Sequence, residues 1–318
     1  MPEDQADNCS RPYLVVITGP TGVGKTSVCT KLAAAYGTSV ISADSRQMYR
    51  EMKTGTAVPS GSQLKTAKHY FIGNLSINDY YNASMFEVES LELLKRLFKE
   101  KSIVFMAGGS GLYIDAVCSG IDDLPAVDKE LRNELAEQYR LKGISWLRLQ
   151  MKKLDPDYYE KVDLRNPNRI LKAVEVSLMT GKPYSSFLTS TKKNRYFGVI
   201  KIGLNTERNK LYEIINSRVD KMIDKGLLKE AENLYRYRNF NALNTVGYKE
   251  LFAYMDGDIT YEKAVDLIKR NSRRYAKRQL TWFARDKDIH WFSPENIKGI
   301  TDKIIQETGL NPEKMIKG

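Results

Sequence analysis

Cysteine is scarce. Only Cys9, Cys29 and Cys118 occur, far apart and never as C-x-x-C, which argues against a disulfide framework and against a thiolate zinc site. No apolar run approaches the roughly 20 residues needed to cross a bilayer, and the opening Met1 to Asp7 is polar and acidic, unlike a secretory leader. A cytoplasmic protein with reduced thiols and no membrane partner is therefore expected, with a monomer as the default state. Internal repeats, low-complexity tracts and long linkers are missing too, which removes repeat architectures. Acidic residues are few beside basic ones, 39 against 50, for a net charge of +11 and a pI near 9.3. An enzyme of small metabolites has no general need of that excess, whereas a polyanionic partner explains it. A basic surface kept for solubility is the competing account. What is present, 42% hydrophobic and 28% charged residues in a chain of 318, suffices for a sizeable core in one elaborated domain or two.

The chain is organised around Gly19-Pro20-Thr21-Gly22-Val23-Gly24-Lys25-Thr26, between the apolar run Tyr13 to Ile17 and the helix-like Ser27 to Ala33. This is G-x-x-x-x-G-K-T in its strand, loop and helix setting. Glycines leave backbone N–H groups free to converge on phosphate oxygens, and the helix start adds its positive end. Lys25 would neutralise an outer phosphate and the Thr26 hydroxyl would hold Mg²⁺. The pattern implies an α/β fold, a P-loop NTPase-like core with a parallel sheet flanked by helices. Which phosphate compound the loop holds is not decided by the loop itself.

Thr38 to Ala43 reads as a buried strand with Asp44 at its C-terminal end, where ligands bind in open α/β sheets. A loop is expected at Thr54 to Pro59 and another, aromatic one from His69 to Ile72. A helix is expected from Ala83 to Lys99 and a second buried strand from Ser102 to Ala107. That strand closes in glycines, where phosphate-loop ATPases usually place an aspartate that helps hold Mg²⁺. Asp44, the one comparable strand-end acid, is then either a metal ligand or a base, and routine ATP hydrolysis is disfavoured.

Residues 121–195 read as a helical insertion domain, with the core at 13–120 and 196–318 and a flexible tail at 1–12. The core resumes at the strand Phe197 to Leu204, and helices are expected to dominate from there, including Leu211 to Lys225 and Leu227 to Tyr237 around a stop at Gly226. Ala264 to Lys287 reads as one basic helix, with Arg270, Arg274, Arg278 and Arg285 near one face. A solvated face is the plain account of such a run. Together with the total charge and the interleaved aromatics, phosphate-backbone contact is favoured.

Several stretches in order resemble the tRNA dimethylallyltransferase family. They are Gly19 to Thr26; Asp44 to Tyr49 with Gly55-Thr56-Ala57; Gly108 to Tyr113; Arg218 to Met222 with Gly226-Leu227; Gly247 to Leu251; and Arg274 to Gln279 with Thr281-Trp282-Phe283. The resemblance runs from residue 14 to about 292, and its ordered set is far more specific than the phosphate loop alone. It implies transfer of a dimethylallyl group from dimethylallyl diphosphate to N6 of the adenosine 3′ to the anticodon. The loop then holds the donor diphosphate rather than a nucleoside triphosphate, in keeping with the missing strand-end acid.

By the same resemblance Asp44 is the general base, and Lys25, Arg218 and Ser110 serve the reaction. Ser45, Arg46, Gln47, Ser110, Arg132 and the segment Asn168-Arg169-Ile170-Leu171-Lys172 lie along the tRNA anticodon stem-loop. The insertion is the anticodon-arm clamp, and Arg274 and Arg278 complete the basic surface. Three departures stand out. Ser110 replaces a threonine and keeps the hydroxyl. Ile214 stands where many members carry an arginine, so diphosphate neutralisation relies more on Lys25, Arg218 and Mg²⁺. Lys68-His69 replaces paired histidines, which leaves His69 as a structural or surface residue. An adenylate isopentenyltransferase acting on free AMP, ADP or ATP is one alternative, disfavoured because a mononucleotide needs neither insertion nor basic helix. A phosphate-loop kinase is another, and a non-catalytic RNA-binding module would have no use for Lys25, Thr26 and Asp44 together.

Overall fold

Near-continuous apolar runs such as Leu14-Val15-Val16-Ile17 and Ile103-Val104-Phe105-Met106 suit strands covered on both faces. In the computed structural model, which describes residues 11–125, 128–189 and 191–312, they form the middle of a parallel sheet. Its strands are β1 (Tyr13–Thr18), β2 (Val40–Ala43), β3 (His69–Tyr70), β4 (Ile103–Gly108), β5 (Gly198–Leu204) and β6 (Ile289–Phe292), in the order β3-β2-β4-β1-β5-β6. Every neighbouring pair is parallel, with Val15 facing Phe105 on one side and Ile200 on the other. The α/β core is thus as expected.

Alternation along the strands divides the core into two layers. Val15, Ile17, Ile103 and Phe105 point to one face, beside Val28 and Leu32 of α1 (Lys25–Ala35). Leu14, Val16, Val104 and Met106 point to the other, beside Phe86 and Leu94 of α3 (Ala83–Leu97), with α2 (Gly61–Thr66) lying earlier in the chain. After β4 comes α4 (Gly111–Ser119). The chain divides into two compact units, one comprising residues to Cys118 and from Asn194, the other Ser119–Lys193.

The second unit has its own apolar cluster. Leu135, Leu147 and Met151 of α5 (Lys129–Leu154) pack on Ile170, Ala173 and Val174 of α7 (Pro167–Thr180), with the short α6 (Pro156–Tyr159) between them in sequence. Gly143 kinks α5 at φ 73°, ψ −176°, where two helices join. Asp155 is buried, and its carboxylate accepts hydrogen bonds from the backbone N–H groups of Tyr158 and Ser185. In the first unit, α8 (Arg208–Asp224), α9 (Leu227–Leu234), α10 (Tyr248–Met255) and α11 (Tyr261–Phe283) bury Val219, Leu227, Leu251 and Ile268 together, and α12 (Ile297–Thr308) returns to the sheet.

Four expectations change. His69-Tyr70 is an edge strand rather than a loop, because it continues the parallel ladder at Val40 and Ile41. β6 interrupts the helical C-terminal half, admitted by Gly203, where a Cβ would lie 2.6 Å from Ile289 and Trp291 side-chain atoms. α11 ends at Phe283, so Arg285 lies beyond it. Residues 1–10 of the expected tail, with Cys9, fall outside the described residues. Arg11 and Pro12 are not loose: the Arg11 guanidinium donates to the Phe197 carbonyl at 2.7 Å and Pro12 O accepts from Gly198 N–H.

Candidate active site

The phosphate loop bridges β1 and α1 because three of its residues adopt conformations that side chains resist. Gly19, Gly22 and Gly24 have φ of 138°, 85° and 97°, and a Cβ on Gly19 would sit 2.3 Å from the Leu204 carbonyl oxygen. The Lys25 ammonium folds back over the loop and donates to the carbonyls of Gly19 at 3.0 Å and Pro20 at 2.8 Å. Burial, then the nearby Arg218 cation, pull its pKa down to about 7, against an upward pull from Asp44. Burial likewise lowers Arg218, again opposed by Asp44. Two basic groups brought together in a buried place make a receptor for a polyanion.

Asp44 follows β2 at the C-terminal edge of the sheet. Its Oδ1 accepts from the backbone N–H groups of Arg46 at 3.0 Å and Gln47 at 3.4 Å, which aims the carboxylate from its own turn. Two cavities meet at this residue. One, of about 240 Å³, holds Lys25, Thr26 and the loop glycines Gly22 and Gly24. The other, of about 510 Å³, is lined by Arg46, Arg274 and Arg278 among others. Thr21, Asp44, Arg218 and Tyr275 line both. Burial and then the Asp44 charge push the Tyr275 phenol up to about 12, so it stays a neutral donor. A third cavity, of about 800 Å³, shares Arg218 and Ala57 with the phosphate-loop cavity and is walled by Val58, Pro59, Ile214 and Met222 with Lys53 and Lys221.

The structure therefore brings Lys25, Thr26, Asp44 and Arg218 together, and sets Arg46, Arg274 and Arg278 beside them. Other residues expected at the site stand differently. The Ser110 hydroxyl accepts from Ser45 N–H at 3.0 Å and donates to the Ser45 hydroxyl at 3.2 Å, bracing the Asp44 turn rather than lining any of these three cavities. Gln47 is buried, its amide donates to the Thr56 and Ala57 carbonyls and so supports that loop, and it also lines the phosphate-loop cavity.

In the helical unit, Ile170 is fully buried, which withdraws its side chain from any tRNA contact; Leu171 packs half-buried on the same cluster. Asn168 and Arg169 are exposed. Arg132 and Lys172 each stand 3.8 Å from the carboxylate of the buried Glu175. His69 is a structural residue: its Nδ1 pairs with the Ala67 carbonyl at 2.8 Å, and burial lowers its pKa. Cys29 and Cys118 are buried free thiols, with burial pushing Cys118 up to about 12.

Sequence reasoning gave Gln279 no role. Its carbonyl accepts from Thr21 N–H at 2.8 Å while its amide donates to the Gly109 carbonyl at 3.0 Å, tying the phosphate loop to the end of β4. The readable signal is its position three residues after the buried Ala276 and four before the buried Phe283, a polar side chain on the buried stripe of α11.

Among the described residues no group of three or more His, Cys, Asp or Glu gathers as a metal site, and no helix is long and apolar enough to cross a membrane. The sequence model of the IPP transferase family matches residues 47–286. The chain belongs to the IPP transferase family. Among relatives of that family, a protein named tRNA dimethylallyltransferase 1 from Bacteroides thetaiotaomicron is 50% identical over 284 residues, 89% of this chain and 92% of the relative. A tRNA dimethylallyltransferase from Christiangramia forsetii is 50% identical over 293 residues, 92% and 97% of the two chains. The crystal structure of the tRNA isopentenylpyrophosphate transferase from Bacillus halodurans superposes with a TM-score of 0.69 at 33% identity, covering 96% of this chain and 99% of that one. A eukaryotic dimethylallyltransferase acting on tRNA shares the fold, with a TM-score of 0.77 at 21% identity. The family match begins after Asp44 and so leaves out the phosphate loop and its strand-end acid.

Proposed function

We propose that this IPP transferase family member moves a dimethylallyl group from dimethylallyl diphosphate to N6 of the adenosine 3′ to the anticodon of tRNA, releasing diphosphate. The observation that carries the proposal is that Asp44 and Arg218 line both the phosphate-loop cavity and the larger arginine-rimmed cavity. That arrangement supports a reading in which Asp44 serves as base toward an acceptor in the larger cavity and Arg218 as cation toward a leaving group at the phosphate loop. The names of the relatives support tRNA as the acceptor and a dimethylallyl group as what is moved.

An exocyclic adenine amine is a weak nucleophile because its lone pair is delocalised into the ring. As the new N6–C1 bond forms, the Asp44 carboxylate accepts the N6 proton. The C1–O bond breaks with its electron pair passing to diphosphate, where Lys25, Arg218 and the loop N–H groups stabilise the developing charge. Diphosphate draws Lys25 away from the Gly19 and Pro20 carbonyls and restores its full charge. Mg²⁺ fits the residues present: it keeps several waters and asks for one or two protein oxygens beside phosphate, and the Thr26 hydroxyl and Asp44 carboxylate line one cavity. Thr26 is the residue proposed to hold it, and when bound the ion would supply further neutralisation of diphosphate. The adenosine must leave its stack to reach the cavity, and Arg46, Arg274 and Arg278 are suited to its flanking phosphates.

Purified protein supplied with labelled dimethylallyl diphosphate and, separately, unmodified tRNA, AMP or ATP tests this. Label in tRNA supports the reading. Label in AMP, or phosphate release from ATP, overturns it in favour of an adenylate isopentenyltransferase or a kinase.

A further inference from the structure

The loop Lys53–Ala57 walls all three cavities, Gly55 and Thr56 in the arginine-rimmed cavity, Ala57 beside the phosphate loop, and Lys53 and Thr54 in the third. Such a loop needs an anchor, since Ala57 carries φ 46°, a left-handed backbone that non-glycine residues avoid. Its internal turns, Ala57 N–H to Thr54 O and Val58 N–H to Lys53 O, leave the N–H groups of Lys53, Thr54 and Gly55 facing outward.

Glu230 of α9 takes all three. Oε2 accepts from Lys53 N–H at 3.0 Å and Thr54 N–H at 2.8 Å, and Oε1 from Gly55 N–H at 2.9 Å. The fourth donor is the Tyr248 hydroxyl, at 2.7 Å from Oε1. Gly55 lies so close to the Tyr248 ring that a Cβ would be 2.5 Å from it. From the opposite side Gln47 donates to the Thr56 and Ala57 carbonyls, and Gln47 N–H reaches Asp44 Oδ1. A continuous hydrogen-bonded path therefore runs from Glu230 through the loop to the Asp44 turn. Glu230 and Tyr248 themselves line none of the three cavities.

We infer that Glu230 is a positioning residue whose carboxylate, braced by the Tyr248 hydroxyl, sets the Lys53–Ala57 loop and through it the alignment of donor and acceptor at Asp44. The inference rests on the proposed transfer reaction for its kinetic readout. Glu230→Gln removes acceptor capacity and turns an amide N–H₂ toward backbone donors, while Tyr248→Phe removes one donor and keeps the ring against Gly55. Both variants of the full chain are assayed for prenyl transfer to tRNA, for pyrophosphate binding by calorimetry, and for amide exchange of residues 53–57 with and without pyrophosphate.

Glu230→Gln is expected to lower kcat about 10- to 100-fold, with the KM for tRNA and pyrophosphate affinity retained. Tyr248→Phe should change kcat in the same direction and less. Pyrophosphate should slow exchange across 53–57 in the parent chain and fail to do so in Glu230→Gln. An unchanged kcat in Glu230→Gln overturns the inference. So does a loss of kcat matched by loss of pyrophosphate binding and of a cooperative melt, which would make Glu230 part of the scaffold only. If the parent transfers no prenyl group to tRNA, the proposed function fails, and the pyrophosphate-dependent exchange alone decides the anchor: equal protection in parent and variant overturns it.

Discussion

Asp44 keeps Oδ1 engaged with two N–H groups of its own turn, and asparagine can reproduce that acceptor while losing basicity. Asp44→Asn is therefore expected to bind tRNA like the parent and to lose turnover by about 10²-fold or more; filter binding beside single-turnover transfer measures both, and near-normal turnover would remove Asp44 from the base role. Lys25 supplies a second residue-level test. Its pKa of about 7 where it folds back on the loop carbonyls means that at pH 8 most of the population carries a neutral amine there. Diphosphate favours the charged amine, so binding at pH 8 takes up a proton, and affinity falls as pH rises above about 7 until the pKa of the bound state is passed. Calorimetry of pyrophosphate binding in two buffers of different ionisation enthalpy should show this uptake, and Lys25→Met should abolish it. A buffer-independent heat in the parent would contradict the assignment.

At the level of elements, α11 joins two jobs on two faces. Gln279 on the buried side ties Thr21 to Gly109, while Arg274 and Arg278 on the exposed side rim the cavity of about 510 Å³. Charge reversal at Arg274 and Arg278 should weaken tRNA binding and flatten its salt dependence by about 0.7 to 0.9 in log–log slope for each phosphate no longer neutralised; identical slopes across a salt series would reduce this face to a solvated one. The division of α11 was half legible in its sequence. The arginines announce themselves by charge, whereas Gln279 is visible only once the buried stripe is drawn through Ala276 and Phe283. Strand legibility follows the same logic. β1, β4 and β5 are long and flanked on both faces by helices, so their composition reads plainly. β3 has two residues and β6 four, with Trp291 40% exposed, so edge position removes the burial that makes a strand readable. Asp44 and the glycine loop were legible because their chemistry is local in sequence. Glu230 was not, since its partners at Lys53 to Gly55 lie 175 to 177 residues away.

On the scale of the whole molecule, the net charge of +11 is distributed over two units with separate cores. The helical unit buries Leu147, Met151, Ile170 and Val174 among its own residues, and the sheet unit buries its clusters without them. The helical unit's two ends adjoin, with Lys193 N–H donating to the Ser119 carbonyl at 2.7 Å. A short Gly/Ser linker can therefore replace the segment between Gly120 and Lys192 with little loop-closure cost. The shortened chain is expected to melt cooperatively and to bind pyrophosphate with parental affinity, because Gly19–Thr26, Asp44, Arg218 and Gln279 all belong to the remaining unit. It should lose tRNA affinity by about tenfold or more at moderate salt, since Arg132, Arg169 and Lys172 leave with the helical unit and every phosphate they would neutralise then keeps its counterions. Calorimetry with pyrophosphate and filter binding with tRNA separate the two functions. Parental tRNA affinity in the shortened chain would assign the polyanion surface to the sheet unit, α11 included, alone.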